Sequence, residues 1–344
     1  MIRRALLALS AAVLSAAAAP ASAGHARPLV AILADPAGTE TTDLIAPYAI
    51  LAESGAIDVQ VVSSDLAPVP LMPGVARVKP QASRDSFDRA HPEGPDMVIV
   101  PYMMKIDDPA RSAWLRTQAK RGARIVSICD GAEVLASAGL LDGRQATAHW
   151  ASRKDRLKRW PKVAWRTDAR WVDDGRITTT AGVSASAPAA LQLVRELAGE
   201  QVMQATAARL GLDPPSTVHD ANAYSLSAAH LETAAGNLLA FWGHEQVAVT
   251  VGAGFDDLAF AAELDGWSRT LRSKAFAVTP PQGAVSRHGL TVLGVAKLPG
   301  ADRQAHLRRG EPVPLMVSDI AAAYGRPTAR FVALQLEHPA SLAP

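Results

Sequence analysis

The 344-residue chain contains one cysteine, Cys129, and its setting could do chemistry. An apolar run, Ile125-Val126-Ser127-Ile128, leads into Cys129-Asp130-Gly131. A helix-like stretch follows from Ala132 to Ala138, with Gly139 as its stop. A strand, a sharp turn carrying a thiol and then a helix make a nucleophile elbow. Such a turn lifts the sulfur off the sheet and sets it at a helix N-terminus, where free N–H groups favour thiolate. The same residues also suit a buried structural cysteine packed as a small hydrophobe. Asp130 has two expected roles. Its backbone N–H, directly after the nucleophile, is placed as an oxyanion donor, and its side chain is expected to cap the helix. Other constellations are thinner. His219, His230 and His244 lack metal-ligand spacing, and His244-Glu245 lacks the second histidine of a zincin motif, so neither a metal nor a cofactor is expected.

Composition narrows the classes. Hydrophobic residues make up 49% and charged residues 20%, the balance of a globular protein, and the length suggests two domains. A formal charge of +2 gives no argument for nucleic acid or an anionic membrane, and the basic run Arg153 to Arg159 reads as a solvated helix face. The expected partner is a small molecule. Arg3-Arg4, an apolar run from Ala5 to Ala19 and Ala21-Ser22-Ala23 have the layout of a secretory signal peptide over residues 1–23. The run is too short and alanine-rich for a permanent span, so no stable membrane insertion is expected after cleavage. The predicted location is periplasmic or secreted. A lone thiol there cannot form an internal disulfide, and a shielded site would protect it.

The elements that must position Cys129 alternate strand and helix. Pro28 to Ala34, Val59 to Ser63, Asp96 to Pro101 and the elbow run read as buried parallel strands. Val75 to Val78 reads as part of a hairpin. Asp43 to Ser54 (despite Pro47) and Ala110 to Arg121 read as helices. Beyond the elbow, Val163 to Trp171 and Ile177 to Thr180 are strand candidates, and Ser184 to Leu210 is one long helix or two. This alternation predicts a parallel sheet with helices on both faces, its loops gathered at the carboxyl edge.

The run CDGAEVLASAGLLDGRQATAHW resembles the elbow region of the ThiJ/PfpI superfamily, nearest to the branch with isocyanide hydratases and sensor domains of AraC-type regulators. DDGRITTTAGVSASAPAALQLV resembles the same branch, so the likeness runs over about Pro28 to Leu212. It implies a flavodoxin-like, glutamine amidotransferase-like α/β fold. It also implies a role for Asp43: DLIAP matches a DLTGP-like motif whose aspartate moves protons with the thiol in isocyanide hydratases. Capping of its own helix is the alternative for Asp43. His149, in the AT-x-HW motif, is a candidate acid–base partner or a structural histidine. Where many relatives carry Gly-Gly after the third strand, this chain has Pro101-Tyr102-Met103-Met104, so Tyr102 and Met103 are expected to line and narrow the substrate pocket beside Asp130 and Gly131. Asp130 stands where the peptidase branch has histidine, which counts against peptidase chemistry.

Domain one is therefore expected over 24–212, and a smaller C-terminal α/β half-module over 213–344. In the latter, VAVTVGAGFDDLAFAAELDGW can be laid on VAILADPAGTETTDLIAPYAIL, with Asp257 on Asp43. Ala275 to Thr279 then matches Val59 to Ser63, His288-Gly289-Leu290 falls near Gly74-Val75, and Arg330 to Leu336 would answer to the third strand. This is the pattern of a degenerate, truncated repeat able to cover the first domain as a partner subunit would; relatives often dimerise, so a homodimer is also expected as a partner state unless the half-module replaces or blocks that contact. The expected function is a cysteine-dependent hydratase or hydrolase on a small electrophilic carbon. The alternatives are a non-catalytic small-molecule sensor and, against the signal peptide and without a recognisable pair of helix-turn-helix units, an AraC-type regulator.

Overall fold

The structure is a computed structural model that describes residues 25–342, so the expected signal peptide lies outside the described residues. A seven-stranded sheet organises the first domain. Its order is Trp171–Asp174, Ile177–Thr180, Arg124–Ser127, Met97–Val100, Leu29–Leu33, Asp58–Ser63 and Ala82–Ser83. The edge hairpin Trp171–Asp174 with Ile177–Thr180 is antiparallel; every other pairing is parallel. Leu29–Leu33 is buried throughout because both faces of the sheet are covered. Alternate residues feed two cores. Val30 and Ile32 pack with the helices Thr41–Glu53, Ser186–Ala198 and Glu200–Leu210, whereas Leu29, Ala31 and Leu33 pack with Arg84–Ala90, Pro109–Arg121 and Gly131–Ser137. The fold is an α/β sandwich of the expected kind.

The C-terminal region repeats the order strand, helix, strand, hairpin. Strand Glu245–Thr250 lies between Ser273–Val278 and Arg303–Gln304, all parallel, and helix Asp257–Ser268 packs against helix Thr41–Glu53. Its hairpin strands Ala284–Val285 and Thr291–Leu293 join Ala76–Val78 and Val69–Met72 in one sheet, and Thr291–Leu293 pairs antiparallel with Ala76–Val78. The two hairpins thus meet edge to edge. Each covers an edge strand that would otherwise expose unpaired backbone groups. Gly74 sits in the tight crossing, where a Cβ would fall 2.4 Å from Leu264 Cγ.

Two expectations change, and one left open is resolved. Arg330 to Leu336 is not a strand: it lies in the helix Pro312–Gln335 and its end, with Phe331, Val332 and Leu334 turned into the core. The helix breaks at Gly325 (φ +83°) and restarts with Pro327 in its first turn, and the apolar run 331–334 alone does not distinguish helix from strand. Val163 to Trp171 holds only the two-residue strand Ala164–Trp165 before the edge strand begins at Trp171. Ser184 to Leu210 divides into two helices at Gly199 (φ +93°). Among the described residues, no helix is long and apolar enough to cross a membrane.

Candidate functional site

Strand Arg124–Ser127 delivers Cys129 at the carboxyl edge of the sheet, and Cys129 adopts φ +56°. A non-glycine residue in the left-handed region is uncommon and is held only when its surroundings over-determine it. Here the Cys129 N–H donates to Ala181 O at 3.1 Å and to Thr180 Oγ1 at 3.3 Å. Gly131 makes the turn feasible: a Cβ there would lie 2.0 Å from Val100 O. Its contribution is this close packing of helix on strand, and it does not reach the pocket wall where the sequence reading put it.

Asp43 stands at the start of the neighbouring helix but does not cap it. The cap is Glu40, whose side chain accepts the Asp43 N–H at 2.5 Å. The Asp43 carboxylate is therefore free to turn inward, where it accepts the Tyr102 N–H at 3.2 Å and the Ser186 hydroxyl at 3.4 Å. It is fully buried, and that burial pushes its pKa up to about 7. The Glu40 carboxyl is also raised, by burial first and then by the negative charges of Asp265 and Asp43.

The C-terminal region reaches into this site. Arg269, just past helix Asp257–Ser268, donates to Glu40 Oε1 at 2.7 Å and to Asp265 Oδ1 at 2.5 Å, and Thr42 donates its hydroxyl to Asp265 Oδ2 at 2.8 Å. Burial opposes the Arg269 charge, but Asp265 and Glu40 more than restore it. Glu40, Asp265 and Arg269 were not singled out in the sequence. Glu40 is three residues from Asp43 and was open to local reasoning as a helix cap; the Asp265–Arg269 pair has the local i,i+4 spacing, but its contact with Glu40 joins the two half-modules and carries no local signal.

Cys129 rests as a protonated thiol. Burial raises its pKa most, followed by the charges of Asp43, Asp130 and Glu40, while the Asp130 backbone N–H acts the other way by donating toward the sulfur. The Asp130 side chain makes no cap hydrogen bond, contrary to expectation; it accepts the Ser152 hydroxyl at 2.6 Å, because the partner across the cleft outcompetes the helix end.

His149 borders the same cavity, yet both ring nitrogens meet backbone. Nδ1 accepts the Ala151 N–H at 3.2 Å, which leaves the proton on Nε2 to donate to Gln335 O at 3.0 Å. Trp150 Nε1 likewise donates to Leu334 O at 2.9 Å. The AT-x-HW motif therefore grips the end of the C-terminal helix. Glu337, next in that segment and fully buried, accepts the Gly182 N–H at 2.6 Å and lies 2.8 Å from His219 Nε2.

The sulfur opens on a cavity of about 520 Å³, walled by Cys129, Tyr102, Met104, His149, Arg269 and Gln335. Met103, expected in that wall, is fully buried and packs in the core on the opposite side of the sheet. The chain is extended there, bridging Thr39, so side chains alternate and residues 102 and 104 face the cavity while 103 faces away.

Comparison with known proteins agrees with this geometry. Residues 29–196 match the DJ-1/PfpI family model. Isonitrile hydratase from Pseudomonas putida is 31% identical over 176 residues, covering 50% of this chain and 73% of that protein. The HTH-type transcriptional regulator CdhR from Pseudomonas aeruginosa is 37% identical over 94 residues, covering 27% of this chain and only 28% of the regulator. Among solved structures, a THiJ/PfpI family protein from Pseudomonas syringae is similar at TM-score 0.50 and 28% identity, covering 62% of this chain and 86% of that one. An elbow cysteine on a parallel sheet and an alignment that runs through most of a family member lead to one assignment: the chain belongs to the DJ-1/PfpI family.

Proposed function

We propose that the protein is an exported, cysteine-dependent hydratase acting on a small electrophilic carbon, with an isonitrile as the substrate class. The observation that carries this reading is the pairing of a protonated thiol with a buried carboxyl group whose pKa is about 7. A group titrating near neutrality can both give and accept a proton, which is what acid–base catalysis at that pH needs. Two features weigh against acyl hydrolysis. The Tyr102 N–H is already taken by Asp43, so it is no free oxyanion donor, and both nitrogens of His149 meet backbone. Isonitrile hydration begins instead with delivery of a proton to carbon.

In the proposed sequence, the thiol proton passes to the terminal isonitrile carbon, directly or through Asp43, as Sγ bonds to that same carbon. The product is a thioimidate, R–N=CH–S–Cys129. Water then adds at this carbon, with Asp43 relaying a proton to nitrogen. Collapse breaks the C–S bond, the proton returns to sulfur, and the N-substituted formamide leaves. One water is consumed and nothing is oxidised or reduced. Arg269 ties Glu40 to Asp265 beside this relay and so holds in place the helix cap that leaves the Asp43 carboxyl turned inward. The same chemistry also supports a second reading, a ligand-binding sensor, because a thiol held protonated in a walled cavity binds without turning over unless a substrate drives the proton transfer.

The test measures formamide production from a panel of small aliphatic and aromatic isonitriles, with amides and aldehydes as comparators, beside the pH dependence of iodoacetamide alkylation. The hydratase reading expects formamide from the wild type and none from Cys129→Ser. It also expects a thiol pKa above the unperturbed ~8.5 that falls in Asp43→Asn as a neighbouring negative charge is removed. Saturable isonitrile binding without formamide would move the protein to the sensor reading. A folded protein whose thiol resists alkylation at every pH would overturn the hydratase.

A further inference from the structure

We infer a divalent transition-metal site, of the zinc class, at the opposite edge of the sheet, formed by His25, His91 and Glu93. The ligand-capable atoms of these three residues all lie within 4.8 Å of one another. Two of the three come from one turn. His91 ends helix Arg84–Ala90, and the Gly94 N–H closes back on His91 O at 2.9 Å, with Gly94 at φ +85°, which brings Glu93 round beside the His91 ring. The third arrives from the segment that leads into strand Leu29–Leu33.

The tautomer of His25 points to a cation. Asp96 Oδ2 accepts the Leu29 N–H at 2.8 Å and lies 3.0 Å from His25 Nδ1. A carboxylate accepts only, so Nδ1 of a neutral ring carries the proton and Nε2 is left with a lone pair. Nε2 is buried and has no hydrogen-bond partner, although Glu93 Oε1 is 3.2 Å away. Two electron-pair donors cannot satisfy each other at that distance, but a cation held between them satisfies both. Carboxylate–histidine–metal is the arrangement by which an outer carboxylate sets the tautomer and orientation of a ligating imidazole. The His91 ring meets His25 edge-on and Phe87 at a tilt, and no described residue hydrogen-bonds to it. Two imidazoles and a carboxylate suit zinc rather than calcium or magnesium, which favour all-oxygen shells. His25 and His91 also border a cleft of about 530 Å³, which leaves room for solvent on the remaining coordination position.

The site lies where strands Leu29–Leu33 and Met97–Val100 begin, whereas Cys129 lies where the strands end, so the cation would act as a clip on the first strand and not on the thiol. Sequence spacing could not show it, since the two histidines are brought together only by the sheet.

The experiment uses the untagged chain in a Cys129→Ser background, which removes the thiol as a competing ligand. Equilibrium dialysis against Zn²⁺ with metal analysis, and Co²⁺ absorption as a spectroscopic readout, are compared with His91→Gln and with His25→Gln/His91→Gln. The expected result is about one Zn²⁺ per chain, a metal-dependent rise in Tm, and a loss of affinity of roughly tenfold or more in the single variant, with no binding in the double variant. All three proteins should keep the same circular dichroism, since the residues changed are not in the core. Absence of stoichiometric binding at 100-fold molar excess of Zn²⁺ would overturn the site and leave a protonated His25 paired with Glu93. Stoichiometric binding retained by the double variant would overturn it equally, by placing the metal elsewhere.

Discussion

Helices Thr41–Glu53 and Asp257–Ser268 occupy matching places in the two halves of the molecule and pack against each other, and each buries an aspartate in its first turn. Their chemistry differs because their neighbours differ. Asp43 meets neutral donors, Tyr102 N–H and Ser186, with the acidic Glu40 alongside, and its proton is held to about pH 7. Asp257 instead meets His288 Nδ1 at 2.7 Å, and the other face of that ring lies 2.8 Å from Glu53. Burial alone would lower the His288 pKa, but hydrogen bonds to Asp257 and Glu53 raise it, so the imidazole stays charged between two carboxylates. One buried acid is left to titrate near neutrality; the other becomes half of an ion pair that ties the halves together. A buried carboxylate is catalytic or structural according to what faces it, not according to its place on a helix.

Five changes would break or sharpen that contrast. Cys129→Ser should lower isonitrile turnover on the order of 10³-fold or more, while Asp257→Asn leaves kcat unchanged; equal losses would mean that the two halves are not chemically distinct. Arg269→Gln strands Glu40 and Asp265 without their cation and should cost about 3–5 kcal/mol of stability in urea unfolding. Asp43→Asn tests the proton directly. A carboxyl whose folded pKa is raised contributes most below its unfolded value and loses that contribution as pH rises toward the folded one. The wild type should therefore lose up to about 4 kcal/mol relative to Asp43→Asn between pH 4 and pH 7, in pH-dependent denaturation. His288→Gln should show its own sign. The His288 contribution is fully present below the unfolded pKa of about 6.5 and is lost as pH rises through the raised folded value, so the gap between wild type and variant should close in alkaline solution. Met104→Ala, at the exposed rim of the cavity, should change KM for bulkier isonitriles by only a few-fold, about 1 kcal/mol or less, with kcat unaltered.

Much of the first domain was legible because its signals are local. Apolar runs of four to seven residues bounded by turn residues mark buried strands, and Cys129 between such a run and Gly131 marks the elbow. The roles of individual residues were less legible. Asp130 was read as a cap, but the structure gives its side chain to Ser152 across the cleft. Met103 was placed in the pocket, but alternation along an extended segment gives that wall to Tyr102 and Met104. Arg330 to Leu336 has the composition of a strand and forms the end of a helix that restarts after the break at Gly325, with Pro327 in its first turn.

The sequence by itself determined the α/β sandwich and the elbow, since each rests on residues close together in the chain whose periodicity or turn chemistry is physically constrained. Only the tertiary structure decided what those residues can do. It seated Arg269 and Asp265 against Glu40, turned His149 onto Gln335 and gave His288 to Asp257. Proton affinity inside a protein is governed by burial and by charges a few ångströms away, and those charges come from parts of the chain that only folding brings together.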